Sequence, residues 1–555
     1  MVYIVKKIIN GNKYYYLKNS VRIGTKVVSK NIAYMGKKRP TKAQIEEKLK
    51  AKNALSPPAK YLPAPLPDAQ VRHLFKPLKN SLVMLSIQDM ATFCKKKGFI
   101  FQNSEIYGGF SGFFDYGPLG VEMKNNIKQA FWKTFVQQRE DVVGIDGAII
   151  THPAVWKASG HVDSFTDYIY KCPKCKQVIK GDNNAGMKCP KCNEDMANEG
   201  KFNLMFSTQV GPASGNVAYL RPETAQVIFT NYKLVQESAR QKLPFGIAQI
   251  GKAFRNEISP RDFLFRSREF EQFEIEYFIN PEKECPYALP DMEVQIWTRD
   301  NQKKNEEHIT LTIKDLVEKK ICSKWHAYWL SLYYQFFIDH GITRENLRLR
   351  EHLNDELAHY ACACFDIEYR FPFGWKEIHG NADRGQFDLK QHMEFSKASL
   401  EYYDEESKQK IIPACASEPS QGIDRAFLAF MYDAYHDDTE RGNIILALDP
   451  KIAPIKVGVF PLVNKLDDEA KKLFDDIKKE FVCIYDRSGS VGRRYARADE
   501  QGIPFCITFD FDSLTDASVT IRDRDTTQQV RVKINQLTEK LLGLLNGKTR
   551  FDASK

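Results

Sequence analysis

No stretch of this chain approaches the roughly 18 consecutive apolar residues that a membrane-spanning helix needs, so a bilayer protein is not expected. The opening "MVYIVKKIINGNKYYYLKNS" breaks into charge after its fifth residue and has no apolar core of the kind a secretory signal carries. A cytoplasmic protein is the expectation. The sequence has neither G-x-x-x-x-G-K-[ST] nor G-x-G-x-x-G, so neither a P-loop nor a dinucleotide-binding turn explains any nucleotide chemistry. No internal repeat is visible. Acids are nearly missing from the first 60 residues, where Glu46 and Glu47 stand against thirteen Lys and two Arg, a balance of +13 in a chain whose total is +10. The rest is slightly acidic at −3, so any polyanion must be met by local patches rather than by a general positive field.

Twelve cysteines are present, but a disulfide framework is not expected inside a cell. Four are patterned: "CPKC" at Cys172 and Cys175, and "CPKC" at Cys189 and Cys192, with thirteen residues between the pairs. Each C-x-x-C turn presents two thiolates to one side, and two such turns complete a tetrahedral zinc site. With all four positions filled by protein, the zinc is expected to be structural. The other cysteines are scattered and read as ordinary thiols.

Residues 1–52 form a basic module. They read as short strands with a hairpin signal at "NGN", followed by a charged helix in "TKAQIEEKLKAKNA". Residues 53–80, with five prolines between Pro57 and Pro67, read as an extended linker. From about 81 to 450 the pattern is mixed. "GPLGVEMKNNIKQAFWKTFV" has helical spacing after a Gly-Pro start, and "YLRPETAQ" and "DIEYRFPFGWKEIHG" read as strands joined by turns. The cysteine ribbon is inserted at about 168–200 and a helical insertion is expected at about 283–342. From 453 to 546 strand and helix alternate ("KVGVFPLV", "DDEAKKLFDDIKKEF", "VCIYD", "SVGRRYARADEQG", "PFCITFDF"), the signature of a compact domain on a mostly parallel sheet, and 547–555 is a tail.

One stretch stands out. "FRNEISPRDFLFRSREFEQFE", Phe254 to Glu274, interleaves four arginines with five phenylalanines and a series of acids. Arginine forks bind phosphate oxygens in bidentate fashion, and a phenylalanine ring offers adenine a flat stacking surface. The acids can accept an ammonium or hold Mg²⁺ beside a polyphosphate. Alone, the stretch fits either a nucleotide site or a charged β-hairpin. "RPETAQ" and "SEPSQGIDRAFLAF" again set carboxylates beside arginine, and the latter puts Arg425 near a helix start, where anions are favoured.

"GPLGVEMKNN", "FRNEISPRDFLFRSREFEQFEIEYF" and "EPSQGIDR" resemble motifs 1, 2 and 3 of the class II aminoacyl-tRNA synthetases. With "ASGHVDSF", "YLRPETAQVIF", "DIEYRFPFGWKEIHG" and "GRRYARADEQGIPFCITFDFDSL", the wording from Met90 to Leu537 is similar to the single-chain, homodimeric glycyl-tRNA synthetases. Residues 1–50 have no counterpart there. The resemblance implies an α+β catalytic domain on a seven-stranded antiparallel class II sheet, an inserted zinc ribbon, a C-terminal α/β anticodon-binding domain and a dimer formed around Pro118. It implies ligation of glycine to tRNA(Gly) through glycyl-adenylate, with ATP and Mg²⁺. A synthetase-like nucleic-acid-binding paralogue without that chemistry is the alternative.

Carried over residue by residue, the resemblance implies that Arg255 grips the α-phosphate and that Glu257 bonds the adenine amino group. Phe270 would stack the ring, and Arg266 and Arg425 would hold the outer phosphates. Asn256, Phe265, Glu377, Ile378 and Gly422 complete the expected ATP set. For glycine, Glu223, Glu274 and Glu418 would supply charge to the ammonium, with Ser420 and Phe270 narrowing the space at Cα.

Overall fold

The computed structural model describes residues 2–9, 12–23, 26–36, 85–181, 186–212, 215–358 and 360–552. The chain divides into two units, Met1–Asn80 and Ser81–Lys555. In the first, strands Val2–Ile9, Asn12–Ile23 and Lys26–Gly36 pair in chain order as an antiparallel meander. Ile9 pairs with Asn12, in keeping with the hairpin signal at "NGN". The helix expected at 41–54 and the linker expected at 53–80 lie outside the described residues.

The second unit is organised by a sheet of nine strands. Six neighbours are antiparallel throughout, in the spatial order Leu347–Glu351, Ala363–Phe371, Gly374–Asp383, Ala414–Gly422, Glu269–Ile279 and Phe245–Phe254. A parallel strand flanks each end: Val142–Gly144 beside Phe245–Phe254, and Glu293–Trp297 beside Leu347–Glu351. Ile309–Thr312 pairs with the latter edge. The segment 283–342 is therefore not a purely helical insertion. "EVQIW" and "ITLT" are short runs rich in β-branched and aromatic residues, and they extend the sheet. Likewise "RPETAQ" does not join two strands: it leads from Asn216–Leu220 into the helix Ala225–Ser238.

The helix Lys324–Asp339 from that segment lies at the centre of the core rather than at its margin. Its aromatics occupy most of its circumference, as expected of a buried helix. Tyr333 stacks on Phe135 with centroids 4.1 Å apart, Phe336 stacks on Phe131 at 4.1 Å, and Tyr333 also covers His379 at 4.0 Å. Burying each such ring contributes about 1.5–3 kcal/mol. Phe131 belongs to the helix Pro118–Trp132, which starts with Pro at its first position after Gly117. A Cβ on Gly120 would lie 1.9 Å from the Phe99 carbonyl oxygen, so only glycine lets this helix sit on that backbone.

Sheet alternation sorts the two faces. On Glu269–Ile279, Phe273, Ile275 and Tyr277 are fully buried in the core, while Phe270, Gln272, Glu274 and Glu276 point to the opposite face. That second face carries the site.

The C-terminal segment has its own core of Val457, Val459, Ile507, Val519, Ile521 and Leu541. Strands Cys483–Tyr485, Val457–Pro461 and Phe505–Phe509 are parallel, as the alternation predicts, and Ser518–Asp523 and Gln529–Lys533 add an antiparallel margin. Elsewhere, Ala197–Asn203, Thr166–Lys171 and Val178–Gly181 form a small sheet around the patterned cysteines.

Candidate active site

The arginine-phenylalanine stretch is the connection of a hairpin. Strand Phe245–Phe254 pairs with Glu269–Ile279 from Phe254↔Glu269 inward, and Arg255 N–H donates to the Arg268 carbonyl at 2.8 Å. Between them the chain turns through Asp262 and Phe263, both in the left-handed region, into a short 3₁₀ turn at Phe263–Phe265. The stretch is a hairpin whose connection carries the charges.

Arg255, Arg266 and Arg425 converge over a hollow of about 150 Å³, together with Glu257, Phe265, Phe270, Glu377, Ser420 and Gly422. Arg255 lies over the Phe270 ring at 5.3 Å and donates to the Pro222 carbonyl at 3.0 Å. Arg266 Nε meets Glu257 at 2.9 Å, and Arg425 Nη1 meets Glu377 at 2.9 Å while its guanidinium covers Phe265 at 4.6 Å. Burial works to raise the Glu377 pKa, but the Arg425 charge outweighs it and holds the carboxyl below its ordinary range. Two expected residues do not line this hollow. The Ile378 side chain is buried in the core, on the opposite face of its strand from Glu377, and is the extra residue of a bulge in that strand. Asn256 sits at the rim, its backbone N–H bonded to the Leu204 carbonyl at 2.7 Å.

A larger hollow of about 880 Å³ lies between Ala288–Glu293 and the helix Lys324–Asp339. Its guanidinium, Arg344, is already bonded to the Glu293 carbonyl at 2.6 Å, and no set of charges converges there. The convergent charges are at the smaller one.

Three separated segments are tied together beneath it. Asp424, at the start of the helix Ile423–Ala434, accepts from the Glu271 N–H at 2.7 Å, from Lys124 at 3.0 Å and from the Tyr116 hydroxyl. Glu271 in turn meets Lys124 at 3.0 Å and Lys128 at 2.6 Å. This buried network fixes the hairpin strand against both helices.

Beside the arginine cleft lies a second, deeper group. Glu223, Glu274, Glu276, Asp388 and Glu418 are all buried, and Arg384 is buried among them. Arg384 bonds Asp388 through two nitrogens at 2.7 and 2.8 Å and Glu418 at 2.8 Å, and its guanidinium faces the Tyr360 ring at 3.8 Å. Glu223 Oε2 meets His161 Nε2 at 3.3 Å. Glu274 has no cationic partner among the described residues: it accepts from the Thr224 N–H at 2.9 Å, from the Ser420 hydroxyl at 2.7 Å and from the Gln272 amide at 3.0 Å.

Carboxylates outnumber cations here, and the titration behaviour follows. Burial, reinforced by Glu223, raises the Glu274 pKa. Burial raises Glu418 to about 8 against the pull of Arg384, and Glu274, Glu223 and Asp388 add to the rise. Glu276 is pushed well above its usual range by burial and by Glu418. Glu223 moves the other way: burial opposes ionisation, but His161 and Arg384 prevail. The retained protons belong to the group rather than to one residue.

The structure thus brings the three expected glycine-site acids together but gives Glu418 and Glu223 partners that sequence reasoning missed. Arg384 and Asp388 stand four apart in "DRGQFD", a spacing that pairs charges along a helix start, and His161 lies in "GHVDSF".

The patterned cysteines also converge. All four Sγ atoms lie within 4.8 Å of one another, and Cys172–Cys192 and Cys175–Cys189 are each 3.4 Å apart. The two turns are alike: Lys176 and Asn193 take left-handed conformations, and each donates its N–H back to the Cys172 or Cys189 carbonyl, at 3.0 and 2.8 Å. The residues present fit a four-thiolate metal site.

Comparison with known proteins places these features. Residues 456–544 match the family model described as "Anticodon binding domain". An anticodon-binding domain following a sheet domain with an arginine-lined, aromatic-floored cleft defines an aminoacyl-tRNA synthetase. The chain is 45% identical over 492 residues to the glycine–tRNA ligase of Caldanaerobacter subterraneus subsp. tengcongensis, covering 83% of this chain and 98% of that protein. It is 44% identical over 503 residues to that of Acetivibrio thermocellus (84% and 100%) and 43% identical over 486 residues to that of Geobacillus thermodenitrificans (81% and 96%). The chain belongs to the glycine–tRNA ligase family.

Proposed function

We propose that the chain joins glycine to ATP, giving glycyl-adenylate and pyrophosphate, and passes the glycyl group to the 3′ end of tRNA(Gly). A glycine carboxylate oxygen attacks the α-phosphorus, and the bond to pyrophosphate breaks. The observation that carries this reading is the surplus of buried carboxylates beside an arginine cleft, which suits a small cation on one side and a polyanion on the other.

Arg255, fixed by Phe270 and the Pro222 carbonyl, would stabilise the charge that develops on the α-phosphate. Arg266 and Arg425 would exchange their present carboxylate partners for the outer phosphates, and Phe270 would stack the adenine. Glu257, once released from Arg266, can accept from the adenine amino group. Bound Mg²⁺ supplies neutralisation of the phosphate charge, and Glu377 is the carboxylate beside Arg425 placed to meet it. The glycine ammonium would lie against Glu274, with Glu223 and Glu418 behind it. Ser420, bonded to Glu274, narrows the space at Cα, and crowding there excludes larger amino acids without an editing site. No nucleophile on the protein is required.

The four thiolates suit a structural Zn²⁺, since no coordination position is left for a substrate. The same reading brings a class II sheet, a cytoplasmic setting and a homodimer formed about the Pro118 segment. A monomer in sedimentation equilibrium would remove the dimer from it. The reaction itself is tested by exchange of labelled pyrophosphate into ATP: full-length protein should support it with glycine and not with alanine, and exchange indifferent to the amino acid would refute the proposal.

A further inference from the structure

A third group of ligand-bearing side chains lies apart from the thiolates and from the residues assigned above. Strands Leu347–Glu351 and Ala363–Phe371 are antiparallel with Glu351 opposite Phe365, and the pairing continues as His352 N–H donates to the Cys364 carbonyl at 3.0 Å. Phe365 and Ile367 turn into the core, so Cys364 and Asp366, two residues apart, share the other face. His352 joins them there, its Nε2 2.7 Å from Asp366 Oδ2. One ligand atom from each of His352, Cys364 and Asp366 falls within 4.8 Å of the others. Asp366 is buried, while His352 and Cys364 are half-buried and reachable.

The donor set is one imidazole nitrogen, one thiol sulfur and one carboxylate oxygen on two adjacent strands. Mg²⁺ asks for about six oxygens in octahedral array, whereas mixed nitrogen, sulfur and oxygen donors select Zn²⁺ and its tetrahedral analogue Co²⁺. Three protein ligands leave a fourth position open, in contrast to the closed set of four thiolates. Arg350 lies 3.7 Å from Asp366 Oδ2, but its hydrogen bonds, at 2.6 and 2.7 Å, go to Glu356.

The group also adjoins the nucleotide cleft. A Cβ at Gly380 would lie 3.7 Å from Glu377 Oε1 and 3.9 Å from Asp366 Oδ1, so both carboxylates overhang one spot that holds no side chain. We propose that His352, Cys364 and Asp366 form a second, accessible site for a zinc-class dication, and that its occupancy slows nucleotide use at the adjoining cleft. Metal entry replaces the His352–Asp366 hydrogen bond. The imidazole presents its Nε2 lone pair with its proton on Nδ1, and the Cys364 thiol releases its proton to solvent.

The test uses full-length protein whose four-cysteine site has been filled with zinc, titrated with Co²⁺. One further equivalent should bind and produce a near-ultraviolet thiolate-to-cobalt band. Outer partners of metal ligands are worth about 10–100-fold in affinity, so loss of a ligand in His352→Ala should weaken binding at least that much. Cys364→Ser should abolish the band, and Cys362→Ser, at the exposed neighbouring thiol, should leave it intact. Absence of a thiolate band in the wild type, or its survival in Cys364→Ser, would overturn the site. This readout does not depend on catalysis, so it stands or falls separately from the proposed reaction. The coupling rests on that reaction: Zn²⁺ should slow glycine-dependent pyrophosphate exchange in the wild type and spare Cys364→Ser, and equal inhibition of both would overturn the coupling.

Discussion

The arginine cleft and the buried carboxylate group lie on interior strands of one sheet but handle charge in opposite ways. In the cleft, Arg266 and Arg425 are partly exposed (32% and 29% for their side chains) and each holds one carboxylate. In the deeper group the Arg384 side chain is 1% exposed and is engaged by Asp388 and Glu418, with Glu223 at 3.8 Å. Charges in the cleft can be traded for a ligand's charges at modest cost, because solvent already shares them. Charges in the buried group cannot leave, and the imbalance among them is relieved only by protons or by a cation that comes in. A substrate carrying a polyphosphate suits the first region, and one presenting a bare ammonium suits the second.

That contrast predicts unequal responses to mutation. Arg384→Met should be the most damaging change, since stripping the cation from a buried ion group costs roughly 3–5 kcal/mol. Denaturant unfolding should show the loss, whereas Arg266→Met, in the open cleft, should leave stability near that of the wild type. Equal stability of the two variants would erase the distinction. Arg255→Ala should fold normally yet lose glycine-dependent pyrophosphate exchange by about a hundredfold or more, the scale of a removed transition-state charge contact. Near-normal exchange would show that Arg255 does not face the reacting phosphate.

Two effects should be smaller and lie outside both regions. Cys189→Ser should lower bound zinc from about one equivalent per chain and loosen the ribbon while ATP binding persists. Metal-free protein with full aminoacylation would make the ribbon dispensable. Deleting residues 1–60, which carry +13, should raise the KM for tRNA at low salt and flatten its salt dependence without touching pyrophosphate exchange. An unchanged salt slope would assign the arm another role.

The cleft was legible from the sequence because most of its residues are contiguous: Arg255 to Arg268 form one hairpin connection, with Phe270 just inside the following strand. The buried group was legible only in part. Glu223, Glu274 and Glu418 stood out beside arginines, but Glu276 reads like any strand acid, and Arg384 and His161 reach the group only through pairing between distant strands and helices. The helix Lys324–Asp339 was recognised as part of a helical insertion, but nothing local tells an aromatic-rich helix which sheet it will cover. Ile378 follows Glu377 on one strand, so alternation alone turns its side chain to the core.

The claim that the buried group is short of one cation is open to direct measurement. Burial among the neighbouring carboxylates pushes the Glu418 carboxyl up to about 8 from its ordinary 4.5, so the stability that this group lends is full below 4.5 and drains as pH rises through about 8. An ammonium arriving beside it reverses that preference and drives the proton off. Calorimetric titration of the full-length protein with glycine at neutral pH, in buffers of different ionisation enthalpy, should therefore report net proton release, diminishing as the pH is raised past 8 and reduced in Glu418→Gln. Glycine binding with no proton exchange, or with proton uptake, would contradict the account.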